Sequence, residues 1–180
     1  MKDGEVEPKP PATYSDDASR RIAGALVSAG IDVAVLLPDS VLHGVHRVLL
    51  AEAGVMSVVC SREDEGIAIG IGAGWTGRRP AVLMEGSGLG YSGLILARAM
   101  AQRSGVLLVA SHNSALGERF SYHAATRLVA EPMLRALAIP SVVLSRLDDV
   151  ETTVRELVHT MAGQRIPVAL LVPRHICVEA

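Results

Sequence analysis

Six short, mostly aliphatic runs punctuate the chain, at 33–37, 56–60, 80–84, 105–110, 141–144 and 167–172. Stretches with helical spacing precede and separate them, over about 17–29, 41–52, 65–76, 91–102, 127–137 and 148–162. Runs this short and this apolar suit strands buried on both faces. A helix between consecutive strands is the crossover that parallel pairing needs. The alternation predicts an α/β fold: a doubly wound, mainly parallel six-stranded sheet with helices on both faces.

Local punctuation agrees with this division. Ser15 or Asp16 can cap the first helix and Gly30 can end it. Pro38 bars further ladder pairing after the first strand, and Asp39 or Ser40 can cap the second helix. Asp148 or Asp149 can cap the last long helix, and Pro132 predicts a local defect or a break in the helix before it. Residues 1–14 are charged and proline-rich and are expected to form a mobile tail; 15–180 then form one α/β domain. No internal repeat or linker interrupts that domain.

Hydrophobic residues make up 49% of the chain and aromatics only 3%, so Val, Leu, Ile and Ala must fill the core. A formal net charge of −2 gives no electrostatic reason to expect nucleic acid or an anionic membrane as a partner. The Arg78-Arg79 dipeptide reads as a solvated turn. Cys60 and Cys177 show neither metal-ligand spacing nor a disulfide framework, which fits a reducing cytoplasmic compartment. No apolar run reaches the ~18–20 residues of a membrane span, and residues 1–17 lack the apolar core of a signal peptide.

Ligand sites in such a fold lie at the carboxyl ends of the strands. The loops expected there are 38–40, 61–65, 85–90 and 111–123, and all four hold chemically capable side chains, which points to one shared site. The segment 61–90 stands out. It carries the acidic cluster Glu63, Asp64 and Glu65, then a helix containing Gly66, Gly70, Gly72, Gly74 and Gly77, then the turn Gly86-Ser87-Gly88-Leu89-Gly90. At about 100° per residue, Gly66, Gly70, Gly74 and Gly77 share one face. Glycine in a helix costs roughly 0.5–1 kcal/mol relative to Ala, so close approach of something should offset it. Tight packing inside the domain and a subunit or cofactor interface are both open. Glu65 likewise has two readings: a first-turn acid complementing the helix dipole, or a partly desolvated carboxyl exchanging a proton with a ligand nitrogen.

Familiar motifs fail. The glycine turn lacks the sixth-position glycine of a dinucleotide fingerprint, which is Tyr91 here. No phosphate-loop Gly-Lys-Ser or Gly-Lys-Thr occurs, and Ser87 is out of register for a nucleophile elbow.

Four motifs in order bring a family into view. Glu65-Gly66-Ile67-Ala68, running on to Ser87-Gly88-Leu89-Gly90, resembles an E-G-x-A helix start followed by a strand that ends in N-S-G-L-G-N. Pro38-Asp39-Ser40 resembles that group's P-x-S, and Leu116-Gly117-Glu118 and Ala138-Ile139-Pro140 fit as well. Over about 18–175 the chain resembles thiamine-diphosphate-dependent 2-oxo acid decarboxylases, and more narrowly the sulfopyruvate and phosphonopyruvate decarboxylases. Glu85, Gly86 and Tyr91 depart from the family's Gln, Asn and Asn.

The resemblance implies the pyrimidine-binding domain of these enzymes. It also implies that thiamine diphosphate is shared with a partner, a beta subunit whose G-D-G…N motif holds the diphosphate and Mg²⁺. The one Asp-Gly here is Asp3-Gly4, in the tail. Self-association is expected too. By the same resemblance, Glu65 bonds N1′ of the aminopyrimidine and acts with Ser40 and His112 in catalysis. Pro38, Ser87, Gly88, Leu89 and Gly90 line the cofactor pocket. Ser40, Arg119 and His123 face the substrate, and no residue of this chain binds the metal. A non-catalytic or regulatory partner that keeps the fold is the alternative, and a flavodoxin-like nucleotide binder is a third reading.

Overall fold

A computed structural model of the chain describes residues 13–113 and 123–178. Most of the expected tail, and Arg119 with Leu116-Gly117-Glu118, lie outside the described residues.

The described residues alternate as expected. The order is α1 (Asp16–Ser28), β1 (Val33–Leu36), α2 (His43–Ala51), β2 (Met56–Val59), α3 (Glu63–Trp75), β3 (Pro80–Glu85), α4 (Gly88–Tyr91) and α5 (Gly93–Ala101). It continues with β4 (Leu107–His112), α6 (Ala124–Ala136), β5 (Ser141–Val143), α7 (Val150–Gln164), β6 (Val168–Pro173) and α8 (Arg174–Cys177). The six strands form one sheet in the order β2-β1-β3-β4-β6-β5, and every pairing is parallel. Pro80 opens the central strand β3 opposite Val33, at the one position where a missing N–H leaves the ladder intact.

Side-chain alternation splits the core into two layers. Ala34 and Leu36 face Ile22 and Leu26 of α1 and Val45 and Leu49 of α2, with Val154 and Leu157 of α7 in the same layer. Val33 and Val35 face Ile67 and Ile71 of α3, Leu96 of α5 and Leu134 of α6. β2 and β5 are the edges, and Met56, Val59 and Val142 on them are exposed.

Several boundaries differ from the sequence expectation. The single helix expected over 91–102 is two, because a one-turn helix, α4, closes the glycine turn before α5 starts. β4 runs two residues further than expected, so Ser111 and His112 are strand residues. α6 continues through Pro132, which is exposed; on that side the carbonyl freed by the missing N–H can turn to water. α8 was not anticipated. Tyr14 forms an antiparallel bridge with Val178, and Ser15 N–H donates to the Cys177 carbonyl at 2.9 Å.

Candidate active site

β2 lies on one side of β1 and β3 on the other, so the carboxyl ends of β1 and β3 flank a topological switch point. Two groups of candidate residues gather at this edge.

The first group is organised by Asp39. Its Oδ1 accepts from the N–H groups of Val41 (2.8 Å) and Leu42 (2.6 Å), which holds the turn leading into α2. Its Oδ2 accepts from the Ser111 hydroxyl at 2.8 Å. One carboxylate therefore ties the end of β1 to the end of β4, across β3. Pro38 and Ser40 stand exposed on either side of it. Between the two strands, Gly86 N–H donates to the Ser111 carbonyl at 3.0 Å. A Cβ at position 86 would run into that carbonyl and come within 2.9 Å of Thr126 Cγ2. Glycine at the departing position 86 is thus required by the close approach of β4. His112 follows Ser111 and is buried, with Nε2 3.4 Å from Glu131 Oε1. Burial pushes the His112 imidazole below its ordinary pKa, and Glu131 opposes that. The buried Oδ1 of Asn113 and Oγ1 of Thr126 have no hydrogen-bond partner among the described residues. His123 sits half-buried at the start of α6.

The second group surrounds the start of α3. Arg62 binds Asp64 through two bonds, Nε to Oδ1 at 3.2 Å and Nη2 to Oδ2 at 3.0 Å, and its guanidinium also reaches the Tyr91 hydroxyl. The hydrogen bonds from Arg62, and to a lesser degree its charge, hold the Asp64 carboxyl below the usual range. Glu63 packs against Gly88, where any Cβ would collide with it. Gly90 is likewise filled by Val129, 2.7 Å from a Cβ placed there. These two glycines therefore serve close packing within the chain. Ser87 is half-buried and Leu89 is buried.

With Asp64 paired and Glu63 packed on the turn, Glu65 is the acid left exposed. The partial desolvation expected for it is absent in the chain alone. It lines an open groove of about 620 Å³ with Arg62 and its partner Asp64, and with Ala68, Tyr91, Leu94, Ile95 and Arg98. Leu94 is 69% exposed and Tyr91 59%, which is unusual for side chains so large and apolar. An exposed carboxylate beside an aromatic and aliphatic wall fits one side of a flat, nitrogen-bearing ring. Among the described residues no group of His, Cys, Asp and Glu is placed to hold a metal ion. The residues lining this groove fit the pyrimidine end of thiamine diphosphate.

The open question about the glycine face of α3 is answered by packing. A Cβ at Gly66 would meet Leu37 Cδ1 at 2.9 Å, one at Gly70 would meet Val82 Cγ2 at 2.9 Å, and one at Gly74 the Gly105 carbonyl at 3.2 Å. That face lies on the sheet. Gly77, with φ +86°, ends the helix, and Gly72 looks into open space.

Sequence reasoning placed Asp39 only as a helix cap and did not find Ser111, Asn113 or Glu131 as parts of the site. The P-D-S turn was the available signal for Asp39. Nothing local could reveal a partner 72 positions away.

No protein-family model matches the chain. It is 32% identical over 125 residues to the sulfopyruvate decarboxylase subunit alpha of Methanothermobacter thermautotrophicus, a match spanning 69% of this chain and 76% of that protein. The subunit of the same name from Methanococcus maripaludis is 26% identical over 156 residues, 86% of this chain and 93% of the relative. Among solved structures, 2-oxoglutarate:ferredoxin oxidoreductase from Magnetococcus marinus superposes with a TM-score of 0.72 at 14% identity, over 96% of this chain and 32% of that one. The thiamine diphosphate-dependent 4-hydroxybenzoylformate decarboxylase of Rhodococcus jostii RHA1 does so with 0.67 at 17% identity, over 89% and 31%. This chain spans about a third of each structure, and at such identities the likeness shows the fold.

Proposed function

The chain belongs to the family of sulfopyruvate decarboxylase alpha subunits, and from that premise we propose that it is the pyrimidine-side half of a split thiamine-diphosphate-dependent decarboxylase. Its substrate is a 2-oxo acid of the sulfopyruvate or phosphonopyruvate kind. A beta subunit holds the diphosphate and Mg²⁺ and closes the site, in a cytoplasmic compartment where Cys60 and Cys177 stay free thiols. The observation that carries this reading is Glu65, an acid left exposed on an open groove beside large apolar side chains that are also uncovered.

When bound, thiamine diphosphate supplies the electron sink for loss of CO₂ from a 2-oxo acid. Glu65 holds or releases a proton at N1′ of the pyrimidine. A partner seated on Tyr91 and Leu94 excludes water from that exchange. Pro38, Ser87 and the backbone of 88–90 set the wall of the ring pocket, and Glu63 and Val129 keep the glycine turn in place from behind. Ser40 orients the substrate carboxylate from a loop that Asp39 makes rigid. His112, buried and favoured in its neutral form, moves a proton at the product end with Glu131 fixing its ring. Arg119 and His123 receive the anionic tail.

Glu65→Gln tests this in the assembled enzyme. Turnover should fall by about 100-fold or more, the scale of a lost acid–base group. The melting temperature of the free chain should not change, because Glu65 is exposed. Near-normal turnover would take Glu65 out of the reaction.

A further inference from the structure

A second cleft, of about 460 Å³, opens at the opposite edge of the sheet, where β3 and β4 begin. Ile71, Pro80 and Met161 give it an apolar wall, and Arg78, Arg79, Arg103 and Arg165 give it a cationic rim. Asp32 neutralises one of these charges: Arg78 Nε is 2.9 Å from its Oδ2. Arg79 lies across Gly30 at the end of α1. Arg103 and Arg165 are exposed and have no acidic partner among the described residues.

A structural explanation exists, since α1, α3, α5 and α7 all end here and cations suit helix carboxyl termini. Four helix ends offer about 2 negative charges in total. Three uncompensated guanidinium groups exceed that, on a chain whose formal net charge is −2.

The backbone strengthens the case. Arg103 (φ 52°) and Arg165 (φ 57°) both occupy the left-handed region just past a helix. Glycine is the cheap residue there, and the chain uses it at the matching positions Gly30 and Gly77. Ala138 (φ 54°), past α6, shows that such a turn also takes other residues, but the two arginines are the ones that fall on one cleft. The last component is Trp75, the one tryptophan of the sequence. It is 65% exposed, yet its indole N–H is anchored to the Ser104 hydroxyl at 2.9 Å. It is a held aromatic plate beside a cationic rim.

We infer that this cleft binds a nucleoside diphosphate, its base against Trp75 and its phosphates on Arg103 and Arg165. Guanidinium forks suit phosphate oxygens, and a volume of this size is ordinary for a small-molecule site.

Trp75 reports its own site. The full chain, without a second subunit, is titrated with adenosine diphosphate while tryptophan emission is followed. Saturable quenching is expected, with adenosine and pyrophosphate each binding at least about tenfold more weakly. In the double variant Arg103→Gly/Arg165→Gly, affinity should fall about tenfold or more, while the melting temperature holds or rises because glycine is at ease at those angles. Absence of saturable quenching overturns the inference. So does equal binding of adenosine or pyrophosphate, or a double variant that binds as the parent does. The readout needs no turnover, so failure here leaves the decarboxylase reading untouched.

Discussion

Asp39 uses both carboxylate oxygens, on Val41 and Leu42 N–H and on the Ser111 hydroxyl, and no other side chain among the described residues links the ends of β1 and β4 in this way. Asp39→Ala should destabilise the chain by about 1.5–3 kcal/mol, the range for hydrogen bonds to a charged acceptor. Ser111→Ala should cost less, because the backbone N–H bonds to Asp39 survive it. Urea unfolding of the two variants checks the order, and equal losses would place the stabilisation in the strand link instead. His46 is buried beneath the same turn, with Nε2 unpartnered among the described residues. Burial drives its pKa down to about 4, against the attraction of Asp39 and with some help from His43. Its ordinary value is about 6.5. Between those two values the unfolded chain binds the proton and the folded chain does not, so stability falls as pH drops from about 7 toward 4. The full loss is on the order of 3 kcal/mol. His46→Leu should remove this part of the acid sensitivity, and an unchanged gap between urea midpoints at pH 5 and pH 7 would exclude His46 as its source.

α3 is the element on which the most depends, because its two faces do different work. The face with Gly66, Gly70 and Gly74 lets the helix settle onto β1, β3 and the start of β4. The other carries Glu65, Ala68 and Trp75 outward. Opposite signs follow for two chemically identical substitutions. Gly72→Ala meets nothing within 4 Å and should stabilise the free chain by about 0.5–1 kcal/mol through helix propensity. Gly70→Ala gains the same propensity but pushes on Val82 at 2.9 Å and Val106 at 3.1 Å, both β-branched and buried. Overpacking of that kind costs about 1–3 kcal/mol, so the net effect should be destabilising. Thermal melts of the pair test whether the glycine face serves packing or a ligand; stabilisation by both would contradict the packing account.

For the molecule as a whole, exposed Tyr91 and Leu94 stand beside the exposed acid on α3, α4 and α5, the surface on which the proposed partner subunit closes the site. Leu94→Glu puts a charge into that surface without touching the core, since the side chain is 69% exposed. The variant should fold with an unchanged melting temperature, fail to co-elute with the proposed beta subunit, and leave the mixture without decarboxylase activity. Undiminished co-elution would move the interface elsewhere. No helix among the described residues is long and apolar enough to cross a membrane.

The six strands and their alternation with helices were legible in the sequence, because burial of a strand on both faces forces an apolar run and a helix forces its own period. So was the position of Glu65 at the start of α3, since a strand-to-helix junction is a local event. Element ends slipped where a short turn intervened, at α4, or where a strand kept pairing into what read as loop, at Ser111 and His112. Only the tertiary structure decided which glycines face the sheet, which of three neighbouring acids stays exposed, and that Asp39 meets Ser111. Periodicity reports what each stretch must bury, whereas the identity of what covers it depends on packing between segments far apart in the chain.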